Sequence, residues 1–112
     1  MTTYPKYQIR RSINNQFYWN LYALNGKIIL TSSEQYVSKQ GCNTSIASSK
    51  VNIADSNFKR YQTLGGQYYF IQVAGNGEPL GKSEMYQTFQ AREEGVESVK
   101  RNAPLAGIED LS

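Results

Sequence analysis

The stretch NGKIILTSSEQY, residues 25–36, returns as NGEPLGKSEMY at residues 76–86. Extended outward, residues 7–52 align with 58–102 once Ser33 is skipped, and twelve of the 45 aligned pairs are identical. Among them are Gln16/Gln67, Tyr18/Tyr69, Asn25/Asn76, Gly26/Gly77, Lys50/Lys100 and Asn52/Asn102. A repeat at this period means two copies of one supersecondary unit.

Working outward from the repeat, each copy predicts three strands and a helix. YQIRRS and FKRYQT are short strand candidates closed by Asn14-Asn15 and Gly65-Gly66. FYWNLYA and YYFIQVA follow, rich in aromatic and β-branched residues that suit a pleated surface. Asn25-Gly26 and Asn76-Gly77 are dipeptides that favour positive φ at both central residues of a two-residue hairpin loop. KIILT and EPLGK are the third strands, the second with Pro79, which cannot donate to a ladder and predicts an edge or a bulge. In FYWNLYA, Phe17, Trp19, Leu21 and Ala23 share a face. The matching face in the second copy holds Tyr68, Phe70, Gln72 and Ala74, so Ile71 and Val73 point the other way, toward either a second cover or an exposed patch.

After Tyr36 and Tyr86 the pattern becomes helical. Ser38 and Thr88 are N-caps by chemistry, since a hydroxyl accepts from a free amide of the first turn. Apolar residues recur at helical spacing in KQGCNTSIASSKV and FQAREEGVESVKR. Lys50 and Lys100 fall in the last turn, where the dipole favours cations, and Asn52 and Asn102 predict a left-handed ending. Gly41/Ala91, Ser45/Gly95 and Ser48/Ser98 form a stripe of small residues along each helix. Glycine inside a helix costs about 1 kcal/mol against alanine. The stripe therefore predicts close packing of helix backbone on a strand or on the other helix. A single βββα unit buries too little apolar area to offset its chain entropy, so the two copies are expected to depend on each other.

Strand, Asn-Gly, strand, Ser-x(1–2)-Glu-x-Tyr and a helix ending Gly95-Val96-Glu97-Ser98-Val99-Lys100 with Asn102-Ala103-Pro104 resembles the YegP-like family of small bacterial and archaeal proteins. The likeness covers residues 7 to about 104. The first copy departs from it at Ser45-Ile46-Ala47-Ser48-Ser49-Lys50. The resemblance implies an α+β fold in which two βββα repeats, related by a pseudo-two-fold, join their strands in one antiparallel sheet with helices exchanged across it. It implies a monomer and carries over no activity and no catalytic residue. The expected organisation is one domain over 1–112, with repeats 7–54 and 58–104 and a flexible tail at 105–112.

Composition narrows the chemistry. The chain has no histidine, which removes the commonest general base near neutral pH and the commonest zinc ligand. Cys42, the lone cysteine, lies on the apolar helix face and reads as a small core residue. Gly75-Asn76-Gly77 precedes a strand rather than a helix, so it is a turn and not a phosphate cradle. Glu93, Glu94 and Glu97 read as a solvated helix face. The expectation is no enzyme, no catalytic residue, no cofactor and no metal. One cysteine, no export-signal pattern in the first residues and no long apolar run predict a cytoplasmic protein without a membrane span.

Two sets of residues remain as candidates. Residues 1–60 carry eight Lys/Arg against two acids and residues 61–112 carry four against seven, an asymmetry that can mark a nucleic-acid surface. Lys6, Arg10, Arg11, Lys59 and Arg60, with Tyr7 and Tyr61 nearby, would form it, although alternation along a strand lets only about half share one face. The second set, Ser32, Glu34 and Tyr36 with Ser83, Glu84 and Tyr86, recurs where strand gives way to helix. It reads either as a doubled groove or as junction hydrogen bonding, and its presence in both copies favours the junction. The functional expectation is a small non-enzymatic interaction or regulatory module, with weak nucleic-acid binding as the alternative.

Overall fold

A computed structural model describes residues 3–112. The first copy supplies β1 (Lys6–Arg11), β2 (Phe17–Tyr22), β3 (Ile28–Ser32) and helix α1 (Lys39–Val51). The second supplies β4 (Phe58–Gln62), β5 (Tyr68–Val73), β6 (Pro79–Lys82) and helix α2 (Phe89–Asn102), and β7 (Gly107–Asp110) ends the chain. The seven strands form one sheet in the order β4-β5-β6-β3-β2-β1-β7, antiparallel except for β7, which runs parallel to β1. The copies meet at β3 and β6, with Thr31 opposite Lys82 and Ser32 opposite Gly81.

All four hairpins close alike. Ser12, Ala23, Thr63 and Ala74 donate their amides to the carbonyls of Gln16, Lys27, Gln67 and Glu78, each around a three-residue loop. The left-handed residue of each loop is Asn15 (φ 65°), Gly26 (φ 82°), Gly66 (φ 86°) or Gly77 (φ 88°). The two-residue loop expected at Asn25-Gly26 and Asn76-Gly77 is thus a three-residue loop, with only the glycine at positive φ. The asparagines do another job: Asn25 and Asn76 each accept, through Oδ1, the amide two residues on. Pro79 heads β6, an interior strand, beside a register shift between Gln72 and Val73, which is the bulge alternative.

The helix starts follow the capping reading: Ser38 and Thr88 accept from the amides of Gly41 and Ala91 at 3.1 and 3.0 Å. The helix ends do not. Asn52 (φ −94°) and Asn102 (φ −89°) are not left-handed. Each instead turns its side-chain amide back to donate to the carbonyl and hydroxyl of Ser48 or Ser98, satisfying groups the helix leaves open. Asn102 also accepts from the amide of Leu24, tying α2 to the β2–β3 loop.

Register partners share a face because side chains alternate along a strand. Tyr7 and Leu21, Ile9 and Trp19, and Leu21 and Leu30 pair on the face that carries both helices, and all of these are buried. Trp19 Nε1 donates to Ser45 Oγ at 3.0 Å, and Ser49 exchanges hydrogen bonds with Tyr7 and Gln72, which fixes α1 over that face. Helix α1 packs against β2 and β6, and α2 against β5 and β3. Cys42 is fully buried in this core, which pushes its thiol up to about 11.

Close packing occurs at the glycine stripe, but its partner is a tyrosine rather than a strand or the other helix. A Cβ on Gly95 would lie 2.7 Å from Tyr86 Cζ, whereas one on Gly41 would meet Tyr36 at an ordinary 3.5 Å. The tightest strand glycine is Gly81, where a Cβ would lie 2.7 Å from Leu30 Cγ and 2.9 Å from Trp19 Cη2.

Residues 105–112 are not a loose tail. Gly107–Asp110 forms β7, the Leu111 amide donates to Ile9 at 2.8 Å, and Lys6 Nζ reaches Glu109 at 2.7 Å. A four-residue strand without apolar alternation is ordered by what it pairs with, the open edge of β1.

Candidate functional site

The face opposite the helices can be read from the ladders. Lys59 is level with Ile71, Ile71 with Lys82, Lys82 with Thr31, Thr31 with Asn20, Asn20 with Gln8 and Gln8 with Glu109. This row crosses all seven strands. Beside it stand two tyrosine groups: Tyr61 and Tyr69 on β4 and β5, and Tyr18 and Tyr22 on β2. The Tyr61 and Tyr69 rings stack with centroids 5.2 Å apart and planes 19° apart. Lys82 Nζ lies 4.9 Å from the centre of the Tyr69 ring, approaching from the opposite neighbouring strand. Lys6 sits over the rings of Tyr4 and Tyr22 at 4.6 and 5.7 Å.

The five candidate cations separate. Lys6, Arg10 and Lys59 belong to the open face; Arg11 and Arg60 fall on the helix side, level with Phe17 and Phe70. Arg11 covers the Phe17 ring at 5.1 Å. Arg60 pairs with Asp55 at 2.9 Å and with Glu93 of α2 at 3.2 Å. The Arg60 and Lys100 hydrogen bonds hold the Asp55 carboxyl down at about 2. Lys6 is bound to Glu109, and that hydrogen bond raises its pKa. Tyr7, expected beside the basic set, is fully buried in the core, while Tyr61 remains 42% exposed. Arg10 and Lys59 stand at opposite ends of the sheet, so the basic set does not gather into one patch.

Lys82 is the cation sequence reasoning missed. It lies between the two ends, exposed, in a strand whose proline and glycine hide any alternation. The aligned residue in the first copy is Thr31, its own partner across β3 and β6, and only the ladder shows that they share a row. Among the described residues, no carboxylate pairs with Arg10, Lys59 or Lys82. Lys82 itself lines a groove of about 460 Å³, together with Ile28, Thr31, Ile71, Pro79 and Glu84. Ile71 is therefore partly buried beside the groove, and Val73 is buried.

The junction residues make matching bonds. Ser32 Oγ accepts from the Trp19 amide and donates to the Glu34 carbonyl; Ser83 Oγ accepts from the Phe70 amide and donates to the Glu84 carbonyl. Tyr36 and Tyr86 form single antiparallel bridges with Phe17 and Tyr68. Tyr36 then donates to Ser45, while burial against the Gly95 turn pushes Tyr86 up to about 12. No trio of Cys, Asp or Glu side chains among the described residues is placed to hold a metal ion. No helix among them is long and apolar enough to cross a membrane.

A family model described as a domain of unknown function, DUF1508, matches this chain twice, at residues 12–59 and 65–110. The chain is 43% identical over 105 residues to a UPF0339 protein of Bordetella pertussis, covering 93% of this chain and 94% of the relative. It is 37% identical over 105 residues to the UPF0339 protein YegP of Escherichia coli, covering 93% and 94%. The solution structure of the E. coli YegP protein superposes with a TM-score of 0.89 at 35% identity, over 99% of this chain and 96% of that one. That of a UPF0339 protein from Shewanella oneidensis gives 0.88 at 34%, over 95% and 90%.

Proposed function

From its membership of the DUF1508 (UPF0339) family, a family of unknown function, and from its own geometry, we propose that this chain is a non-enzymatic binding module whose working surface is the open sheet face. One observation carries this reading. Both helices pack on one side, where carboxylates hold Arg60, Arg92 and Lys100 but not Arg11 or Arg101. On the other side Glu109 holds Lys6, and among the described residues no carboxylate pairs with Arg10, Lys59 or Lys82, which share that face with Tyr61 and Tyr69. Cations free of carboxylates raise the positive potential of that face and draw a negatively charged partner to it.

The scaffold is a monomer in which two copies are related by a pseudo-two-fold through the β3–β6 seam, each helix reaching into the other copy. The packing of α1 on β6 and of α2 on β3 supports the exchange. In this reading Ser32, Glu34, Tyr36, Ser83, Glu84 and Tyr86 are structural, their hydroxyls and carbonyls spent on the strand-to-helix turn. Burial and raised pKa leave Cys42 unsuited as a nucleophile, in keeping with a non-enzymatic role in the cytoplasm.

The test is differential capture from the native cell, scored for protein and nucleic acid together. The wild-type chain is compared with a Lys59→Glu/Lys82→Glu variant and with Arg101→Glu, an exposed cation on α2. Material held by the wild type and by Arg101→Glu but lost from the face variant supports the reading. Equal capture by all three overturns it.

A further inference from the structure

We infer that the open sheet face takes single-stranded nucleic acid, Tyr61 stacking on a base while Lys59, Lys82 and Arg10 meet phosphates. This rests on the reading of that face as the working surface and names its ligand. Tyr61 and Tyr69 form an aromatic platform. Tyr69 lies between Tyr61 on β4 and Lys82 on β6, which leaves the outer side of the 42%-exposed Tyr61 ring to receive a base. Every base has a π-face, so such a platform binds without reading sequence. A duplex hides its base faces and could use only the cations.

The spacing of the cations points to the same ligand. Lys59 and Arg10 are separated by five strand spacings with Lys82 between them, which is about 24 Å. That suits the backbone of an extended strand crossing the sheet better than one compact anion. The groove beside Lys82 has an apolar lining from Ile28, Ile71 and Pro79 that shelters part of a base. Three acids stand at this face. Glu109 is held by Lys6 at the far edge, Glu84 lines the groove beside Lys82, and Glu34 lines a neighbouring groove with Tyr18 and Thr31. A phosphate is thus drawn to the cations and away from these two grooves' acidic ends. An acidic peptide would satisfy the cations but make no use of the stacked rings.

Three phosphate contacts predict a salt slope of about −2 on a log–log plot for a single strand. Binding is therefore expected in the micromolar range at low salt and to weaken greatly at physiological salt.

The experiment is fluorescence anisotropy with dye-labelled oligo(U) and oligo(dT) of about twelve nucleotides, a matching duplex and an oligoglutamate peptide, each at two salt concentrations. Single strands should bind most tightly. Tyr61→Ala, at an exposed position, should lose about tenfold. Lys59→Glu/Lys82→Glu should abolish binding, and Arg101→Glu should leave it within about twofold of wild type. Duplex or peptide binding as tight as single strands, or indifference to Tyr61→Ala, would overturn the proposal. Amide shift mapping with oligo(U) separates the two levels of inference. Shifts confined to α1 and α2 would sink both the ligand and the face. Absence of binding, with the capture experiment still lost in the face variant, would sink only the ligand.

Discussion

Ser49 of α1 lies between the Tyr7 hydroxyl and the Gln72 side chain at 2.7 Å from each, and Gln72 Nε2 donates to the carbonyls of Ser49 and Asn52. The aligned positions of the other copy are Val99, Phe58 and Leu21, all buried and all apolar. The same contrast recurs one turn earlier in the helices. Tyr36 and Trp19 both donate to Ser45, where the second copy presents Tyr86, Phe70 and Gly95. One helix is seated by a connected polar network, the other by apolar contact and a missing side chain. Backbone path and interior chemistry are thus separable in this fold, and the chemistry changes in sets. A polar group buried alone would lose its water hydrogen bonds without replacement, so Tyr7, Ser49 and Gln72 stand or fall together.

The largest test of the comparison is to separate the copies. Residues 1–55 and 56–112 expressed apart should be unfolded or self-associated, and mixing should restore cooperative unfolding, because β3 and β6 pair across the seam. A half that is monomeric and melts cooperatively would show that each seat is self-sufficient.

Next come the glycines that make room. Gly81 aligns with Leu30, and the two sit together in the core, so one copy fills the space the other leaves. Gly81→Leu should cost about 3 kcal/mol or more and lower the melting temperature by about 10 °C or more. The exchange Leu30→Gly/Gly81→Leu should recover part of that loss. Gly95→Leu should cost about 1–3 kcal/mol against Tyr86, although helix propensity alone predicts a gain. A rise in melting temperature for Gly95→Leu would break the account of the second seat.

Smaller effects come from converting one seat into the other. Tyr7→Phe, Ser49→Val and Gln72→Leu should each cost about 1–3 kcal/mol by chemical denaturation. The triple variant should fall within about 1 kcal/mol of wild type, because the whole network is replaced at once. Additive losses would mean that the seats differ by more than this set.

The smallest concerns the charges. In the second copy Asp55 joins Arg60 and Lys100; the aligned residues in the first are Ile9 and Lys50, which donates to the Ala106 carbonyl. The Asp55 carboxyl titrates at about 2 in the fold, below the ordinary carboxylate range. The unfolded chain therefore binds more protons in the interval between, and the stabilisation present above about pH 4 is lost as pH falls toward 2. Asp110, held at about 2 by Ser112 and Lys39, adds the same sign. Asp55→Asn should flatten part of this acid slope, read by hydrogen exchange in α2 and β4. An unchanged slope would show that the Asp55 cluster is only a surface contact.

Features set by neighbours in sequence were the legible ones: the repeat, the order of the six repeat strands and two helices, the capping hydroxyls, and at Pro79 a break that the residue alone left as either an edge or a bulge. Features set across strands were not. Whether Arg60 or Lys59 faces the helices depends on the β4–β5 ladder, and the place of Lys82 on the open face depends on β6 meeting β3. The Asn-Gly pairs signal a hairpin, but loop length is decided by which amide closes it. Residues 107–110 carry no periodicity, and their order comes from Lys6, Gln8 and Ile9, about a hundred positions away in the chain.

That closing strand has a colloidal consequence. Without β7, β1 would form one margin of the sheet, with a row of unpaired amides and carbonyls backed by Tyr7 and Ile9, a template for strand addition between molecules. Instead the margin is a four-residue strand bearing Glu109 and Asp110, each already committed to a lysine of its own chain. The opposite margin, β4, carries Lys59 and Arg60. Both margins are thus short and charged, and a concentrated solution of this protein meets few surfaces on which a fibril could nucleate.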